Sequence, residues 1–225
     1  MNQDYMYCNT EPVGSFQNLL IVADGMGGHR AGDYASRLCV ETMVQSLEKS
    51  AHKTPVSLFE EAVTAANKAV FEESASHVEY EGMGTTVVAC TLEENTLYIA
   101  NIGDSRLYLI RDGIEQITDD HSLVEEMVKQ GNITESEARI HPQKNIITRA
   151  LGINEEVQAD FFEIDVEQGD VIMLCSDGLS NMIEDEDMEY IVKNSDTLQT
   201  AAESLVARAN ENGGNDNITV VLAEV

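Results

Sequence analysis

Residues 18–23 read Asn-Leu-Leu-Ile-Val-Ala, an uninterrupted apolar run of the kind found in a strand buried on both faces. Such a strand needs cover on two sides, and therefore a sizeable core. The 225 residues, 43% of them hydrophobic, suffice for one large domain. Aromatic residues are scarce and Trp is absent, so Leu, Ile, Val, Ala and Met must fill most of that core.

The remaining elements come in mixed order. A Gly-rich segment, Asp24-Gly-Met-Gly-Gly-His-Arg-Ala-Gly32, precedes a helical pattern over 33–49, with Tyr34, Leu38, Val40, Met43, Val44 and Leu47 on one face. Pro55 opens a second helix through Phe59, Ala62, Val63, Ala66, Val70 and Phe71. Runs rich in Val, Ile, Thr and Tyr predict strands over 85–92, 96–101, 106–111 and 114–118, the last two joined by Asp112-Gly113. Helical segments over 122–130 and 134–139 lead to an irregular stretch, 141–149. Strands at 158–166 and 171–175, helices at 184–193 and 197–211, and a strand at 218–223 follow. Hairpins and paired helices, rather than alternating βαβ units, predict an α+β fold with helices outside largely antiparallel sheets. No repeat or long linker divides the sequence, so residues 1–225 are expected to form a single domain.

Charge excludes whole classes of partner. Asp and Glu number 41 against 13 Lys and Arg, a formal net charge of −28. Nucleic acid and anionic membrane are bound through clusters of Lys and Arg, so neither is an expected partner. The same surface repels phosphorylated ligands unless something cationic offsets it locally. Cysteines at 8, 39, 90 and 175 are scattered, with no Cys-x-x-Cys, which does not fit a disulfide scaffold. With no signal-peptide pattern and no apolar run of membrane-spanning length, the expected location is cytoplasmic.

Several Asp residues share one placement, the edge of an apolar strand. Asp24 follows Leu-Leu-Ile-Val-Ala, Asp104 follows Tyr-Ile-Ala-Asn-Ile-Gly, Asp177 follows Val-Ile-Met-Leu-Cys-Ser, and Asp216 precedes Asn-Ile-Thr-Val-Val-Leu. A carboxylate at a sheet end is partly desolvated, and several together repel one another unless a cation neutralises them. Oxygen ligands without paired His or Cys favour Mg2+ or Mn2+. Taken singly, each position reads as a turn. Asp-Gly is a common turn dipeptide, and the segment at Gly27-Gly28 lacks the Gly-Lys-Ser/Thr ending of a phosphate-binding P-loop.

The order of the segments says more. Asn2-Gln-Asp4, Val22-Ala-Asp-Gly-Met-Gly-Gly-His29, Gly84-Thr-Thr86 and Asn101-Ile-Gly-Asp-Ser-Arg106 are followed by Thr118-Asp-Asp-His-Ser122, Leu174-Cys-Ser-Asp-Gly-Leu179 and Gly213-Gly-Asn-Asp-Asn-Ile-Thr219. In this order they resemble the PPM family, the protein phosphatase 2C type, and its bacterial members especially. The resemblance implies an αββα sandwich, two antiparallel sheets between helical layers. It implies a phosphatase that hydrolyses phosphoserine and phosphothreonine esters of proteins with a dimetal-activated water, reversing the work of a Ser/Thr kinase.

The same resemblance implies roles. Asp24 bridges two Mn2+ or Mg2+ ions, with the Gly25 carbonyl at the first; Asp177 and Asp216 hold the second. Asp4 acts through water, and Asp104 joins Asp177 at a third, weaker site. Asn217 and Ser105 support neighbouring loops, and His121 makes a structural hydrogen bond. Residues 141–149 fall where the family has a mobile flap, which makes Lys144 and Arg149 candidates to meet phosphopeptide, against the alternative of ordinary surface charges.

Two departures follow from the comparison. Met26 stands where animal members carry the His proposed as leaving-group acid, so that role is unassigned. Family members also carry a strand with a phosphate-gripping Arg before the Asn-x-Asp segment, whereas this sequence has only Met1 there. Either Met1 is an internal Met mistaken for the start, or the strand is genuinely missing, in which case weaker phosphate binding and an exposed sheet edge are expected. The missing Arg also raises the alternative of a pseudophosphatase that binds without cleaving, and a hydrolase of small phosphoesters is a third reading.

Overall fold

The computed structural model describes residues 2–225, so Met1 lies outside the described residues. The chain opens with β1 (Asp4–Asn9) and returns through a Val13–Phe16 bridge into β2 (Leu19–Met26). β1 has no counterpart in the sequence reading, because only one of its faces is covered and its residues never form an apolar run. β2 runs beyond Ala23, since β1 and β3 pair with its end at Asp24, Gly25 and Met26.

α1 (His29–Lys49) starts ahead of the periodic segment, directly after Gly27 and Gly28, whose φ values of +116° and +89° end the strand. α2 (Pro55–Ser76) carries Pro in its first turn, where no intrahelical N–H is needed. Next come β3 (Gly84–Thr85), β4 (Val87–Glu93), β5 (Thr96–Ile102), β6 (Arg106–Ile110) and β7 (Ile114–Gln116). α3 (Leu123–Lys129) is capped by Ser122, and α4 (Glu135–Arg139) by a Thr134–Glu137 capping box. The last elements are β8 (Asp160–Asp165), β9 (Val171–Cys175), α5 (Asp177–Ser180), α6 (Asp185–Lys193), α7 (Leu198–Glu211) and β10 (Val220–Glu224).

One sheet has the order β1-β2-β4-β5-β8, with β3 beside β2; the other has the order β10-β9-β6-β7, and every pairing is antiparallel. Strand alternation sorts side chains into three cores. On β2, Leu19, Ile21 and Ala23 pack with Cys39 and Met43 of α1 and Phe59 of α2. Leu20 and Val22 face the other way, against Leu107, Ile172 and Leu174 between the sheets. On the far side, Tyr108, Met173 and Cys175 meet Met188, Val192 and Leu205 of α6 and α7. Each fully buried Leu, Ile or Met contributes about 1.5–3 kcal/mol over exposure. The result is the αββα sandwich anticipated from the sequence, and β2 is buried on both faces as its composition requires.

Cys39, Cys90 and Cys175 are buried free thiols and Cys8 is exposed. Among the described residues no helix is long and apolar enough to cross a membrane. β1 and β10 end their sheets, each pairing along one side only among the described residues.

Candidate metal centre

Five carboxylates meet where the two sheets come together at one end. The β1–β2 register sets Asp4 directly opposite Asp24, so both side chains leave the same face. Thr85 and Thr86 clamp the Asp24 peptide. The Asp24 N–H donates to Thr86 Oγ1 (3.0 Å), while its carbonyl accepts from Thr86 N–H (2.9 Å) and Thr85 Oγ1 (2.9 Å). Thr86 Oγ1 also bonds Ser105 Oγ at 2.7 Å, tying Asp24 to the turn that carries Asp104. Gly25 has no room for a side chain: a Cβ would lie 2.0 Å from the Gly32 carbonyl oxygen. The absent side chain lets the first turns of α1 press against β2.

From the second sheet, Asp177 begins α5 at the end of β9. Asn181, one turn later, donates from Nδ2 to Asp177 Oδ2 (3.0 Å) and accepts from Lys144 Nζ (3.1 Å). Ser176 Oγ donates to Asp4 Oδ2 (2.8 Å) and accepts from the Thr219 N–H (3.0 Å), which links β1 to the second sheet. Asp216 lies ahead of β10, with its Oδ1 accepting from the Asn217 N–H (2.8 Å). Asn217 Oδ1 accepts from the Gln3 N–H, at 2.6 Å.

Asp24, Asp104, Asp177, Asp216 and Gly25 line one cavity of about 270 Å3. Burial pushes the Asp24 carboxyl far above the usual range, and repulsion from Asp4, Asp177, Asp104 and Asp216 adds to it. Asp4 is raised by burial against the lowering effect of Ser176. Asp177 and Asp104 are raised by burial first, then by repulsion from Asp216 and Asp177 respectively. Burial and mutual repulsion both disfavour full ionisation of this cluster, and a bound cation relieves both.

Asp4 Oδ1 and Asp177 Oδ1 are moreover buried with no hydrogen-bond partner. Unpaired buried carboxylate oxygens are costly, and a divalent ion is the partner they fit. Among the described residues no three such side chains close into a ready-made cage. Asp24, Asp104, Asp177 and Asp216 instead line a shared cavity, and the all-oxygen donor set suits a hard cation.

The comparison with known proteins agrees with this chemistry. Residues 1–223 match the protein phosphatase 2C family. The chain belongs to that family. It is 40% identical to the serine/threonine phosphatase stp of Listeria monocytogenes, over 96% of this chain and 90% of that protein. Its structure is similar to that of the serine/threonine phosphatase Stp1 of Staphylococcus aureus, with TM-score 0.92, 33% identity, and coverage of 100% of this chain and 89% of that one. It is also similar to the catalytic domain of serine/threonine protein phosphatase PstP solved in complex with 2 manganese ions, with TM-score 0.86, 35% identity, and coverage of 100% and 91%. Phosphatases of the family are metal-dependent.

The two basic candidates part company. Lys144 lines a second cavity of about 340 Å3 that shares Asp104 and Asp177 with the first. Arg149 lines neither cavity, because its Nη1 is engaged by Asp160 Oδ1 (2.6 Å) and the Gln158 carbonyl (3.1 Å). Asn217 and Ser105 make the loop contacts described above. Sequence reasoning missed Ser176 and Asn181, although the i,i+4 spacing from Asp177 to Asn181 was a signal for a pair on one helix face.

Proposed function

We propose that this chain is a phosphoprotein phosphatase that releases phosphate from phosphoserine and phosphothreonine esters. The carrying observation is Asp24, half-buried among Asp4, Asp104, Asp177 and Asp216, with oxygens of Asp4 and Asp177 left unpaired. The names of the relatives, serine/threonine phosphatases, support the substrate class. They give no support to a binding module without turnover.

In this reading Asp24 and the Gly25 carbonyl would hold the first of two Mn2+ or Mg2+ ions, and Asp24, Asp177 and Asp216 would hold the second. Asp4 acts through water, and Asp104 with Asp177 holds a third ion more weakly. Metal ions held there would supply Lewis acidity, activating water and offsetting phosphoryl charge. The protein's own groups set the stage. Ser176 fixes one oxygen of Asp4 and Asn181 fixes one of Asp177, which leaves the other oxygen of each free to bind. Lys144, bonded to Asn181 at the wall shared with Asp177, offers phosphate a cation where the surrounding surface is acidic.

The proposed substrates are proteins phosphorylated by a Ser/Thr kinase in the cytoplasm, with residues 1–225 acting as one domain and with neither nucleic acid nor membrane as partner. Phosphate release from a phosphothreonine peptide, measured with Mn2+ and with EDTA beside a small aryl phosphate, tests the reading. Mn2+-dependent turnover favouring the peptide supports it. Turnover of the small ester alone, or turnover indifferent to EDTA, would overturn it.

A further inference from the structure

Gly103 immediately precedes Asp104 in the turn between β5 and β6, with φ +103°. Its N–H donates to His121 Nδ1 (3.0 Å), and its carbonyl accepts from the His121 N–H (2.9 Å). One residue thus satisfies both backbone groups of the glycine. The other side of the turn is closed, because a Cβ on Gly103 would come within 2.5 Å of Thr86 Cγ2.

The imidazole is only 6% exposed. Since Nδ1 accepts, the ring proton resides on Nε2, where it donates to Asp160 Oδ2 (3.1 Å). Asp160 is held in turn by Arg149 at 2.6 Å, so the tautomer is fixed from outside the site. The His121 carbonyl accepts from the Thr148 N–H (2.8 Å), and Ser122 bridges to Ile147. Ile147 and Asn145 line the metal-site cavity. A histidine that merely filled space would need neither a fixed tautomer nor contacts to two separate walls of one cavity.

We propose that His121 is a positioning residue for the hydrolytic site. Its Nδ1 lone pair holds Gly103 and thereby aims the Asp104 carboxylate, while Asp160 and Arg149 keep that lone pair available. The inference rests on Asp104 serving the metal centre.

Two substitutions separate the two ring nitrogens. His121→Asn keeps an acceptor near the Nδ1 position and loses the Asp160 contact, whereas His121→Gln places its amide toward Asp160 and loses the acceptor for Gly103. The expected result is that His121→Gln loses roughly 10- to 100-fold in kcat, with KM little changed, while His121→Asn stays close to wild type. Amide exchange at Gly103, followed by NMR in Mg2+ and in EDTA, should stay slow in His121→Asn and become fast in His121→Gln. Parallel loss of kcat and thermal stability in both variants would show a structural histidine and overturn the proposal, as would unchanged Gly103 exchange in His121→Gln. Absence of turnover in the wild type would count against the phosphatase reading, and the exchange measurement would still decide the role of His121.

Discussion

Asp4 and Asp24 are directly opposed residues of the β1–β2 ladder, so two carboxylates share one face at the buried end of a sheet. Like charges placed opposite each other destabilise an antiparallel pair, on the order of 1 kcal/mol. Asp4→Asn should therefore raise the melting temperature of the metal-free protein by about 2–4 °C while weakening its response to Mn2+. Thermal melts in EDTA and in Mn2+ check both halves; a lower melting temperature in EDTA contradicts the repulsion.

The same repulsion sets a pH dependence. Asp4, Asp24, Asp104 and Asp177 all have pKa values raised above 3.8 by folding. Above about pH 4 the folded chain therefore retains protons at these sites that the unfolded chain has released, and stability falls as pH rises through the raised values. In EDTA this contribution favours the fold near about pH 5 over about pH 8, and Asp24→Asn should flatten the slope. Urea denaturation across that range, wild type against variant, is the measurement. Equal slopes contradict the assignment.

Beside Asp104, in the wall of the second cavity, Arg106 grips Asp120 with two parallel contacts, Nε to Oδ1 at 2.9 Å and Nη2 to Oδ2 at 2.8 Å. The side chains are 21% and 12% exposed. Arg106→Met leaves the mostly buried Asp120 without its cation and with only the Gln116 amide donating to it (3.2 Å), at a cost of roughly 3–5 kcal/mol. Adding Asp120→Leu should recover part of that loss in urea melts. A double variant less stable than the single one contradicts the account.

Thiol chemistry provides a further check. Burial pushes Cys39 and Cys175 up to about 12 and raises Cys90 as well, while Cys8 is exposed. At neutral pH an alkylating reagent should modify Cys8 alone in the native protein and all four thiols after unfolding. Native labelling at Cys90 contradicts the burial of β4.

What the sequence disclosed follows from how local each signal is. β2 was legible because both its faces are buried, which forces a continuous apolar run. β1 was not, since a strand covered on one face shows only weak alternation over Asp4–Asn9. α5, only four residues long, carries no periodicity. The acidic set was legible as strand-end carboxylates and as an ordered series of motifs, but the Asp4–Asp24 opposition required the strand pairing. Arg149 shows the converse: no sequence pattern distinguishes a guanidinium facing a ligand from one held by Asp160 at the start of β8. The role of Ser176 likewise appears only once β9 meets β1, whereas Asn181 was marked by nothing but its i,i+4 spacing from Asp177.

The most direct test titrates Mn2+ into metal-free wild type and Asp24→Asn by calorimetry, with phosphopeptide turnover measured on the same samples. The account predicts at least two Mn2+ per wild-type chain, fewer in the variant, and turnover in the wild type alone. Undiminished binding together with undiminished turnover in Asp24→Asn would contradict it, because Asp24 is the residue proposed to serve both ions.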